Sequence, residues 1–91
     1  MTNNTTITKE ISKYSRTLRG VVFPTSDLVR TARIESDMLR LKNNPRDTNI
    51  VGTLENDIVW LEGLTVPEAR ISAGYVRNVV NMIRAFSYIV A

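Results

Sequence analysis

Few side chains in this 91-residue sequence are suited to covalent or acid–base chemistry. The chain has no Cys and no His, which excludes a thiol nucleophile, a disulfide, a thiolate metal site and the commonest general base. The other acids, bases and hydroxyls form no paired constellation, since Asp and Glu are expected on solvent faces, and no Gly-rich phosphate loop is present. We therefore expect no enzymatic activity, no cofactor and no metal site.

Basic side chains offer a second kind of chemistry, the binding of anions. The net charge is +3, but residues 1–46 carry nine basic and four acidic side chains, whereas residues 47–91 carry three and five. One face of the predicted first helix is basic, with Lys9, Lys13, Arg16 and Arg19. That face is either simply solvated or binds an acidic protein, nucleic acid or an anionic membrane. No aromatic residue interleaves the basic ones, which weakens the nucleic-acid hypothesis, and the helix lacks the Trp or Phe of a membrane anchor.

Three arginines at heptad spacing, Arg70, Arg77 and Arg84, predict a second basic stripe near the end of the chain. Such a stripe can follow phosphates. It can also pair with acids of the preceding helix, because residues equidistant from the turn of an antiparallel hairpin face each other. Glu62 would then pair with Arg70, and Glu55 with Arg77. We favour this structural interpretation, which requires the third helix to pack on the small residues Ala69, Ala73, Val76 and Val80.

The elements that position these residues are predicted to be four helices. The first runs from about Thr6 to Arg19, after a frayed segment of residues 1–5, and its apolar stripe is Ile7, Ile11, Tyr14 and Leu18. The second begins at Thr25 or Ser26, ends near Lys42 and has two apolar strips. One strip contains Leu28, Ala32 and Leu39, and the other contains Ile34, Met38 and Leu41. Two strips predict contacts with two different neighbours.

The third and fourth helices are predicted to form an antiparallel hairpin. The third begins at Thr48 or Thr53, ends at Glu62, and carries the stripe Ile50, Leu54, Ile58 and Leu61. The fourth spans residues 65–91, with Thr65 and Glu68 at the spacing of a capping box and Pro67 in the first turn. Because so few residues separate the two helices, they must lie side by side.

Apolar residues crowd the end of the fourth helix, more than a short bundle is expected to cover. With Trp60, which lies off the stripe of the third helix, they form the candidate oligomer interface: Trp60, Phe86, Tyr88, Ile89 and Val90. Trp60 has two interpretations, a side chain covered by the second helix or an exposed anchor for a partner. The apolar excess predicts a homo-oligomer, or another protein as an obligate partner, that covers these residues.

Together these patterns predict an all-α protein, a single small four-helix bundle with a long C-terminal helix. We expect a non-enzymatic interaction or assembly protein that acts through protein–protein contacts; its small, Asn- and Thr-rich chain makes a phage or viral accessory or structural protein one hypothesis. The alternative is a nucleic-acid-binding protein that uses the basic face of the first helix. The polar N-terminus lacks a signal-peptide core and no segment is apolar enough to span a membrane, so we expect a cytoplasmic or virion location.

Overall fold

The computed structural model of the protein describes residues 2–90, and it describes side chains for residues 5–85. It contains four helices: α1 (Thr2–Leu18), α2 (Thr25–Asn43), α3 (Thr48–Gly63) and α4 (Pro67–Val90). No strand occurs within residues 2–90. The predicted all-α, four-helix bundle is confirmed.

Each helix runs antiparallel to the helices beside it. Glu10 of α1 contacts Asn78 of α4, and three residues later Lys13 lies over the ring of Tyr75, which precedes Asn78. The connections between consecutive helices are only three to six residues long, so each helix folds back along the one before it. The result is an up-down-up-down bundle in which α4 packs closely against both α1 and α3.

The core consists of the apolar stripes that the helical period predicts. The stripes of α1 and α3 are buried along their whole length, and α4 adds small and branched residues that allow the other helices to approach it closely. Phe23 in the first connection packs against the same core, whereas its neighbour Val22 is exposed. The buried apolar residues of α4 are Ala69, Ala73, Val76, Val79, Val80 and Ile83.

Two helix starts differ from the sequence prediction. α1 begins at Thr2, so residues 2–5, expected to be frayed, continue the helix that the core anchors from Ile7 onward. α4 begins at Pro67, so Glu68 is the second residue of the helix, whereas a capping box requires the acid at the third. No hydrogen bond joins Thr65 and Glu68, both of which are described. α3 begins with a side-chain cap, since the Asp47 carboxylate accepts from the Ile50 amide at 3.1 Å.

Candidate interaction surface between the first two helices

The second helix buries one of its two apolar strips and exposes the other. Ile34, Met38 and Leu41 are fully buried in the core. On the other strip, Leu28 is 54% exposed and Leu39 is 40% exposed, and Ala32 between them is also exposed. Both strips were predicted to have neighbours, but within the described part of the chain only the first is covered. We call Leu28, Ala32 and Leu39 the exposed strip.

A groove between α1 and α2 runs beside the exposed strip. Leu39 and Glu35 line this α1–α2 groove from α2. Its α1 wall contains one apolar residue and five polar ones: Thr8, Ile11, Ser12, Ser15, Arg16 and Arg19. Beneath it, the Tyr14 hydroxyl donates to the Thr31 carbonyl at 2.7 Å, and burial raises the pKa of Tyr14 above its ordinary range. This buried bond joins the two walls.

The four basic residues predicted on α1 do not have the same surroundings. Arg16 and Arg19 are exposed at the groove, and Lys9 is exposed on the outer face. Lys13 turns toward α4, where its ammonium lies 3.7 Å from a Glu10 carboxylate oxygen and 5.9 Å from the centre of the Tyr75 ring. The structure therefore places two of the four at the groove, whereas a third, the exposed Lys13, contacts Glu10 and Tyr75.

A second polar cluster, which the sequence analysis missed, joins α2 to α3. Asp57 of α3 is 1% exposed, and one of its oxygens accepts from Arg30 Nε at 3.0 Å and from Arg33 Nη2 at 2.8 Å. Arg33 Nη1 also donates to Asp37 at 2.7 Å, and Arg40 lies 3.6 Å from that carboxylate. The hydrogen bond with Asp57 raises the pKa of Arg33. The cluster alternates positive and negative groups, so it holds the two helices together rather than leaving a free anion site.

The expectation that the acids lie on solvent faces is therefore wrong for three of them: Glu10, Asp37 and Asp57 are buried. Each lies three residues after one core residue and four before another, as Asp57 does between Leu54 and Leu61. Those spacings place a side chain on the buried face of a helix. The same pattern holds for the buried Ser72 of α4, so this signal was available in the sequence.

Trp60 takes part in the α2–α3 contact. Its ring is partly buried against the core, and the Arg30 guanidinium lies 4.5 Å from the ring centre. Arg30 belongs to α2, so the contact favours the first of the two interpretations, in which α2 covers Trp60. A partner contact through the exposed remainder of the ring stays a prediction.

The arginine stripe of α4 pairs with α3, but in a different register from the predicted one. Arg77 donates to Glu62 at 2.9 Å and Arg84 donates to Glu55 at 2.6 Å. The predicted pairs of Glu62 with Arg70 and of Glu55 with Arg77 are wrong by one heptad. Arg70 instead reaches the Thr65 carbonyl, with Nη2 at 3.5 Å, and makes no ion pair among residues 5–85.

The reason for the shift lies in the direction of helical side chains. Every Cα–Cβ bond leans toward the N-terminus of its own helix. In the hairpin, α3 side chains therefore lean away from the turn and α4 side chains lean toward it. A shift of seven residues corresponds to about 10 Å along the axis at 1.5 Å per residue, a span that a Glu and an Arg side chain cover between them.

The predicted oligomer interface lies mostly outside the described side chains. Phe86, Tyr88, Ile89 and Val90 belong to the part of α4 whose side chains the structure does not describe.

Within residues 2–90, none of the helices combines the length and the apolar character required to cross a membrane. The described acids also include no group of three or more that could hold a metal ion.

Comparison with models of protein families, with curated proteins and with solved structures gives no match for this chain.

Proposed function

We propose that the protein is a non-enzymatic interaction module that binds an acidic protein partner through the α1–α2 groove. The observation that carries this proposal is that Leu39 of the exposed strip lines the same groove as Arg16 and Arg19, while Leu28 continues the strip along α2. An apolar strip bordered by cations that make no ion pair with any described residue is complementary to a partner that presents apolar and acidic side chains together.

The charge distribution supports the same partner. The helices that form the groove, α1 and α2, lie in the half of the chain with nine basic and four acidic residues. That excess of positive charge would attract an acidic partner over a distance set by salt screening and would speed its association.

Nucleic acid is the alternative partner, favoured by the exposed Lys9, Arg16 and Arg19, which make no ion pair with any described residue. The exposed strip distinguishes the two partners. A phosphate backbone makes no favourable contact with a row of aliphatic side chains, because interfaces with nucleic acid are polar and strongly positive. The leucines therefore favour a protein.

A labelled peptide of Glu and Leu, a peptide of the same length made of Glu and Ser, and a short duplex DNA test the proposal. We expect the Glu/Leu peptide to bind most tightly in fluorescence anisotropy. Exchanging Leu28 and Leu39 for Ser should weaken that binding by about tenfold or more, since covering each half-exposed leucine is worth on the order of 1 kcal/mol.

Charge variants complete the test. Arg16→Gln combined with Arg19→Gln should weaken binding of the Glu/Leu peptide. Arg70 is an exposed arginine in the other half of the bundle, and Arg70→Gln should leave that binding unchanged. Tighter binding of DNA, with a salt slope of about 0.9 log units per phosphate neutralised, would favour the alternative partner. Failure of all three probes to bind would overturn the proposal.

Self-association is a further part of this proposal. The exposed Ile71 and the apolar residues that the sequence places near the end of α4 offer a surface separate from the groove. A small assembly protein of a phage or virus, working in the cytoplasm or the virion, would combine two such surfaces.

A further inference from the structure

We infer that the partner enters the α1–α2 groove as a single amphipathic helix of about three turns, an inference that rests on the proposed function. The exposed strip fixes the length. Leu28 and Leu39 are eleven residues apart on one side of α2, or about 16 Å at 1.5 Å per residue. A helix of about the same number of residues covers that distance.

The secondary structure of the groove excludes a partner that binds by strand addition. Extended peptides bind by adding a strand to a sheet edge, where their backbone groups find hydrogen-bond partners. Within residues 2–90 there is no sheet, and both walls of the groove are helices whose backbone groups are bonded internally. A helix satisfies its own backbone and brings only side chains to the contact.

The side chains at the centre of the groove allow a third helix to lie close. Ser12 and Ser15 line the α1 wall, and Ala32 is the middle residue of the exposed strip. Small residues at a helix contact reduce the distance between helix axes toward the lower end of the usual 8–10 Å. The leucines at the two ends then mark where larger side chains of the partner would pack.

The charges along the groove define the order of charges expected along the partner. Arg16 and Arg19 lie toward the Leu28 end, because α1 and α2 are antiparallel and Tyr14 meets Thr31. At the other end, the Lys42 ammonium lies 3.4 Å from the Thr8 hydroxyl. Glu35 lies between them and is half-buried. A partner with acids at both ends and a basic residue in the middle complements this order, and an acid in the middle would be repelled.

A second copy of this chain does not offer such a helix. The helix whose charges are all acidic is α3, and its apolar stripe is buried in its own core. Exposing that stripe would require the bundle to unfold. The occupant is therefore a different protein, with an acidic amphipathic helix.

Three peptides test this inference. Each has a leucine stripe at helical spacing and Glu at both ends, and the central residue is Lys, Glu or Pro. We expect the wild-type protein to bind the Lys peptide up to about fivefold more tightly than the Glu peptide, the upper end of the range given by exposed ion pairs. The Glu35→Lys variant should reverse that preference, and the Arg70→Gln control should preserve it. The Pro peptide should bind at least about tenfold more weakly, because proline disrupts a helix interior.

The outcomes separate this inference from the proposed function. If the Pro peptide bound as tightly as the Lys peptide, the helical partner would be overturned, whereas the proposal of an acidic partner would be unaffected. An unchanged preference in Glu35→Lys would overturn the order of charges. A change in the sedimentation of the protein alone on Leu28→Ser with Leu39→Ser would identify a second copy as the occupant and overturn the inference. If no peptide binds, both proposals fail.

Discussion

Asp57 illustrates how one buried carboxylate can fasten two helices. Its two arginine partners come from α2, and both remain partly in water, with Arg30 37% and Arg33 42% exposed. All of these contacts use one carboxylate oxygen, and Oδ2 has no hydrogen-bond partner among the described residues. The contact is thus incompletely satisfied, so the carboxylate depends strongly on the two arginines that it has.

Removing the Asp57 carboxylate should destabilise the bundle. We expect Asp57→Ala to lower the free energy of unfolding by about 2–3 kcal/mol, below the largest effects of broken buried ion pairs because both arginines can return to water. Asp57→Asn, which retains an oxygen acceptor without the charge, should fall between Ala and wild type. Urea unfolding measures all three, with the exposed Glu68→Ala as control. A loss below about 0.5 kcal/mol would show that the cluster is not important for stability.

Single polar residues were the least predictable feature of this chain. Glu10, Asp37, Asp57 and Ser72 have the spacing of core residues, yet a carboxylate at such a position is usually assigned to the edge of the buried face. Whether the position is buried depends on a partner from another helix, such as the Asn78 amide that donates to Glu10 at 3.2 Å. That partner lies 68 residues away, beyond the reach of any local pattern.

At the scale of elements, the hairpin of α3 and α4 was predictable in topology but not in register. The apolar stripes and the short connection defined the antiparallel pairing. The ion pairs were displaced by one heptad because the side chains of two antiparallel helices lean in opposite directions along the hairpin. The two strips of α2 show a similar limit, since periodicity identified both and only the packing decided which one is buried.

Double-mutant cycles can measure the register of the hairpin in solution. We expect Glu62→Ala and Arg77→Ala to show a coupling energy of about 0.2–1 kcal/mol, because the pair is exposed to solvent. Glu62→Ala and Arg70→Ala, the matched control, should show coupling indistinguishable from zero. Both cycles follow from urea unfolding at low salt. Coupling to Arg70 instead of Arg77 would contradict the observed register.

At the scale of the whole molecule, each helix contributes at least one buried polar residue and the chain separates its charges. The basic half forms α1 and α2, with the groove between them, and the half with an acidic excess forms α3 and α4. This separation of charge is the basis of the proposed function by surface contact. Two faces are left for partners: the groove, and the side of α4 that carries Ile71.

That side of α4 is the basis for expecting self-association. Ile71 is 53% exposed, and Ile89 follows eighteen residues later in the sequence, a spacing of five helical turns that predicts the same side. The sequence adds Phe86 nearby on the helical wheel. Covering side chains of this class is worth roughly 1.5–3 kcal/mol each when burial is complete, enough for a second copy to stabilise the folded chain measurably.

We therefore expect the wild-type protein to sediment as a homo-oligomer whose thermal midpoint rises with concentration. Exchanging Phe86 and Ile89 for Ser should give a smaller species with a lower midpoint that no longer depends on concentration. Val22→Ser is the control, because Val22 is 93% exposed in the first connection, away from α4 in sequence, and should change neither quantity. A wild-type protein that remains a compact monomer at high micromolar concentration would contradict this expectation, and the groove would then be the main candidate for a contact surface.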